Sequence, residues 1–175
     1  MKTNKEINKI TFCALSAGIC LVMMYVGYLS GVFDLSAIFV CGLITVVIMI
    51  EVKGMYPWLT AAVCTVLSFI MLPSKILAFG YAAVGGLYPI LREYAARTGK
   101  LVSWILKLAM AEVIIAGYII LVKFVFIAPD ATDIRIFPLI LLATACFIVY
   151  DMALERFKLI YNLKLRDRIK LYLLF

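Results

Sequence analysis

Histidine is absent from the chain, charged residues are scarce at 15%, and the five cysteines contain no CxxC spacing. Each shortage removes a class of function. Without histidine there is no HExxH zinc site and no Ser-His or Cys-His nucleophile pair, and no GxSxG stands in for them. Cys13, Cys20, Cys41, Cys64 and Cys146 all lie inside apolar runs, where they read as small packing residues and not as a disulfide framework or metal ligands. GYAAVGG lacks the GK[ST] ending of a P-loop, and RTGKLVS lacks its preceding glycine, so no nucleotide site is encoded and no cofactor is implied. The chain is expected to be non-catalytic.

What the sequence does contain is hydrocarbon. Hydrophobic side chains make up 66% of the residues, and the mean hydropathy is +1.12. A domain in water does not tolerate that composition, so an integral membrane protein is expected. At roughly 20 apolar residues per crossing, 175 residues accommodate about six spans. The apolar runs are 10–33, 35–50, 55–72, 76–91, 101–127 and 136–154. Each must be helical to satisfy its backbone within lipid. Pro57 near the start of the third run, Pro73 after its end and Pro129 before the sixth agree with those limits. The expected fold is an all-α six-helix transmembrane bundle over 1–155, followed by a basic amphipathic tail, 156–175.

Basic residues set the orientation. Lys2, Lys5 and Lys9 precede run one, Lys53 follows run two, Arg92, Arg97 and Lys100 follow run four, and Arg156 to Lys170 follow run six. The intervening loops carry Asp34, then Lys75, then Asp130, Asp133 and Arg135. That alternation predicts both termini in the cytoplasm. It also accounts for the net charge of +7 without a nucleic-acid partner. The first run exceeds the ~7–15 apolar residues of a signal peptide, so Met1 to Phe33 is expected to remain as a membrane helix. The tail NLKLRDRIKLYLLF alternates with period two yet also places Leu165, Ile169 and Leu173 at helical spacing; a helix lying on the inner leaflet is expected.

Three constellations bear on function. In run five Lys107 and Lys123 can snorkel, whereas Glu112 sits near mid-membrane, where a carboxylate costs at least ~2.5 kcal/mol. It is therefore either a packing group or a ligand or proton site. Asp151 lies at the depth of Lys107, which can neutralise it; Lys107 and Glu112, about 140° apart on one helix, are poor partners for each other. Small residues form the second signal: CALSAGIC aligns Ala14 and Gly18 on one face of run one with Ala17 beside them, and GYAAVGG forms another such strip in run four, with Pro89 able to kink the helix beyond it. The third is an outer rim of aromatics and charges: Tyr25, Tyr28, Asp34, Lys75, Phe79, Tyr81, Tyr118, Lys123, Asp133 and Arg135. Such a rim suits a small polar ligand, and equally an ordinary interfacial belt.

Six short-looped helices with both ends inside, a small-residue face in helix one and this rim resemble the substrate-binding S components of energy-coupling factor (ECF) transporters. The family's Ala-x-x-x-Ala docking pattern is represented here by Ala14 to Gly18. The resemblance implies a bacterial plasma-membrane subunit that captures a vitamin-like small molecule from outside and associates with a transmembrane coupling protein and two cytoplasmic ATPases. It assigns Ala14, Ala17 and Gly18 to docking, and Tyr28, Asp34, Lys75, Tyr81, Glu112, Tyr118, Lys123 and Arg135 to substrate. A membrane scaffold similar to the rod-shape-determining D proteins is the alternative, although the chain lacks the acidic residue expected midway along their third and fourth helices. A proton-coupled carrier working through Glu112 is a third reading, without the internal repeat that would support it.

Overall fold

A computed structural model describes residues 2–52, 54–96, 100–126 and 136–165. Among them the protein is all-helical. Helix 1 is Lys2–Ser30, helix 2 Asp34–Glu51 and helix 3 Tyr56–Met71. Helix 4 is continuous through Lys75–Gly80, a π-helical stretch Tyr81–Leu87 and Tyr88–Ala95. Helix 5 is Lys100–Phe126, and helix 6 runs Ile136–Ile160 into a second π-helical stretch, Tyr161–Leu165. The six apolar runs thus coincide with six helical stretches. Helices 1 (from Glu6) and 2 are long and apolar enough to cross a membrane, and helix 3 is apolar but shorter.

The chain divides into two compact units, Met1–Ile90 with Leu154–Phe175, and Leu91–Ala153. In the first, short connections force neighbouring helices to run antiparallel. Helix 1 stops at Ser30, whose hydroxyl folds back on the carbonyls of Val26 and Gly27. Gly31 follows at φ +67°, a left-handed position that releases the chain from the helix. After residues 31–33 helix 2 begins, so close to helix 1 that a Cβ on Gly27 would lie 2.7 Å from that of Ala37. Pro57 occupies the first turn of helix 3, where its missing N–H costs nothing. Helix 4 begins at Ser74, whose side chain accepts from the Leu77 N–H at 3.4 Å.

The core of this unit mixes small and sulfur-bearing side chains with larger apolar ones. Cys13, Ala17, Cys20 and Met24 recur at helical spacing along helix 1 and are buried, together with Ile38, Cys41, Cys64, Leu72, Leu77 and Tyr81. Ser16, Thr45, Thr60 and Ser68 are buried with them. The opposite faces carry the large aliphatics: Leu15 is 64% exposed, Val22 63% and Ile70 73%. Apolar side chains thus lie on the outer faces as well as in the core, whereas a water-soluble bundle keeps its outer faces polar.

In the second unit, helix 5 presents Ile105, Val113 and Ile120 outward, and buries Ser103 and Ala111. Helix 6 continues without a break across residues 155 and 156, as far as Leu165; the rest of the basic tail lies outside the described residues.

Candidate functional site

The π-helical stretch of helix 4 follows from one proline. Pro89 has no N–H, so the Gly85 carbonyl lacks its α-helical donor, and the ring presses on that same carbonyl. Widening the turn relieves the contact, and the Tyr88 N–H reaches Ala83, five residues back. The Thr45 hydroxyl of helix 2 then donates to the Gly85 carbonyl at 2.9 Å. The sequence pointed to a kink just beyond the glycine strip; the structure has a π-helical stretch within the strip, and helical structure continues to Ala95.

Tyr81, at the start of this stretch, is 1% exposed and packs among Cys20, Cys41 and Cys64. The thiols also bind backbone: Cys41 Sγ donates to the Cys20 carbonyl at 3.4 Å and Cys64 Sγ to the Ala17 carbonyl at 3.8 Å. They let helices 2 and 3 lie close against helix 1. Gly85 is required because a Cβ there would fall 2.7 Å from the Tyr81 ring and 3.2 Å from the Ile38 carbonyl. Gly85→Ala should therefore destabilise the protein by about 1–3 kcal/mol through overpacking, measurable as an earlier thermal unfolding midpoint in detergent.

Three more of the rim residues belong to this unit: Tyr28, Asp34 and Lys75. Tyr28 is half-buried and packs against the cluster that contains Tyr81. Asp34 opens helix 2, where its charge suits the helix dipole. Its Oδ1 is buried with no hydrogen-bond partner among the described residues. Lys75 turns back on helix 3, its Nζ donating to the carbonyls of Phe69 at 2.6 Å and Leu72 at 3.2 Å. It closes the C-terminal end of that helix. Of the docking residues, Ala14 and Gly18 face outward, and a Cβ on Gly18 would meet nothing within 4 Å. Ala17 is turned inward.

The second unit holds a buried ionic cluster. Asp151 of helix 6 accepts from Arg92 Nε through Oδ1 and from Lys107 Nζ at 3.0 Å through Oδ2. Arg92 Nη2 also donates to the Asp151 carbonyl at 3.4 Å. Arg92 and Asp151 are 7% and 9% exposed. Depth along the helices identified the Lys107 pairing; Arg92 was missed because it read as one more cytoplasmic loop cation. The signal available was its place, two residues beyond Ile90, on a helix that nothing in YPILREYA terminates.

Glu112 lies elsewhere on helix 5, on the exposed side, accepting from the Thr144 hydroxyl at 3.2 Å. Tyr118 and Lys123 fall on the backbone of helix 5, and Arg135 lies outside the described residues. Thus Tyr28, Asp34, Lys75 and Tyr81 belong to the first unit, and Glu112 to the second. Among the described residues, no group of three or more Cys, Asp or Glu side chains is placed to hold a metal ion. Comparison with protein-family models, curated proteins and solved structures finds no match.

Proposed function

We propose that this chain is the substrate-capture membrane subunit of an ECF-type uptake transporter, crossing a bacterial plasma membrane six times with both termini in the cytoplasm. Two supports for the membrane setting are the apolar outer faces of the helices and the alternation of Lys and Arg between loops. The observation that carries the transport reading is the outward strip on helix 1. Ala14 and Gly18 leave that surface smooth, so that another membrane protein's helix can approach closely. A transmembrane coupling protein would lie there, and two cytoplasmic ATPases would supply the energy.

The ligand site of this reading is at the Asp34 end of the first unit. Asp34 offers a carboxyl oxygen short of a donor, Tyr28 offers an aromatic wall, and Lys75 brings a cation already anchored to helix 3. Tyr81 is part of the core against which Tyr28 packs. A small polar molecule entering from outside would supply the donor that Asp34 lacks.

The test is a purification in detergent, with mass spectrometry of co-purifying small molecules and thermal shifts against a vitamin panel. One vitamin should raise the unfolding midpoint; at a hundredfold excess over Kd the stabilisation is about 2.7 kcal/mol. Asp34→Asn should reduce that shift. No shift from any vitamin, with cell-wall or division proteins co-purifying in place of ATPases, would replace transport with a scaffold.

A further inference from the structure

Glu112 is exposed on helix 5 in an apolar setting. About 12 residues beyond Lys100, at ~1.5 Å each, it lies ~18 Å along a helix, close to the middle of a bilayer core of roughly 30 Å. Around it the surface consists of Ile105, Ala109, Val113 and Ala116, all exposed; Ile105 is 69% and Val113 71% accessible. Its one described partner does not satisfy it. The Thr144 hydroxyl has a single hydrogen and stands 3.2 Å from Glu112 Oε1 but 2.9 Å from the Ile140 carbonyl, the usual acceptor for a threonine one turn along a helix. Among the described residues the carboxylate, which can accept about four hydrogen bonds, thus has at most a share of one donor. In lipid that is expensive, and the face is shaped for a remedy: alanines three residues before and four after Glu112 let a helix backbone come near.

We infer that this face of helix 5 receives a transmembrane helix of another protein carrying a lysine or arginine at mid-bilayer depth, paired with Glu112. A second copy of the chain would bring carboxylate against carboxylate, so charge complementarity selects a basic partner. The inference rests on the membrane-spanning reading of helix 5 and is independent of which substrate, if any, the protein captures.

The experiment places the full chain in phosphatidylcholine vesicles with labelled leucine-alanine transmembrane peptides bearing one central Lys, Gln, Glu or Leu, and reads association by energy transfer. The Lys peptide should bind about tenfold more tightly than the others. Glu112→Gln should remove that preference, and Glu112→Lys should transfer it to the Glu peptide. Ala109→Leu with Ala116→Leu should weaken binding while the unfolding midpoint stays unchanged. Equal binding of all peptides, an undiminished Lys preference in Glu112→Gln, or self-association that competes out the Lys peptide overturns the inference. Labelling of Glu112→Cys by a water-soluble maleimide in opened vesicles would instead remove the membrane premise, which separates that failure from a failure of docking.

Discussion

Asp151→Ala should lower the stability of the protein by about 3–5 kcal/mol, enough to remove most or all of the folded fraction from detergent. The size follows from what remains. Arg92 and Lys107 both direct cationic groups at Asp151, and all three side chains are largely buried. Removing the carboxylate takes a charged acceptor from both cations at a largely buried place. The size of the loss measures that exposed imbalance, and not the net worth of the cluster. Replacing all members together, Arg92→Met, Lys107→Met and Asp151→Leu, should recover much of the loss, because apolar groups of similar volume need no counter-charge. Thermal unfolding of wild type, single and triple variants in one detergent decides the matter. A triple variant no more stable than Asp151→Ala would mean that packing around Asp151, and not charge, holds these helices.

On the proposed function, Gly18→Leu should leave folding and ligand binding intact while weakening association with the proposed coupling protein by roughly tenfold or more. The open space at Gly18 is the reason: a Cβ there meets nothing within 4 Å, so a side chain can leave the helix without a clash at its first carbon. One residue earlier the expectation reverses. Ala17 is 6% exposed and its carbonyl accepts from Cys64, so Ala17→Leu should cost about 1–3 kcal/mol within the protein itself. Co-purification with and without each substitution, beside an unfolding curve, checks both. If Gly18→Leu leaves assembly untouched, the strip on helix 1 is not the docking face.

The helices were legible because long apolar runs bounded by charge, glycine and proline mark them directly: runs such as 35–50 and 55–72 differ from Asp34–Glu51 and Tyr56–Met71 by one residue at each end. Helix 4 was legible in extent but not in form. Its π-helical stretch depends on Pro89 acting on Gly85 and on Thr45, forty residues away, supplying a donor, and no local window contains that pair. The Asp151–Lys107 pairing could be inferred because depth along a helix is a sequence quantity. Arg92 could not, since positive-inside counting treats every cytoplasmic cation alike. Lys75 shows the same limit: a lysine between two apolar runs reads as a rim charge, whereas its ammonium is committed to the end of helix 3. Which face of helix 1 carries its small residues was only half readable, because Ala14, Ala17 and Gly18 are close in sequence and only the packing separates the inward one from the other two.

The tight reversal at Gly31 has a bearing on biogenesis. Between Lys9 and Glu51 the lone Asp, Glu, Lys or Arg is Asp34, so on the proposed topology helices 1 and 2 would enter the bilayer together as a hairpin, delivering three loop residues and one carboxylate to the far side. That small passenger load suits an insertase that slides hairpins laterally into lipid, with no need of a channel built to thread large polar segments across.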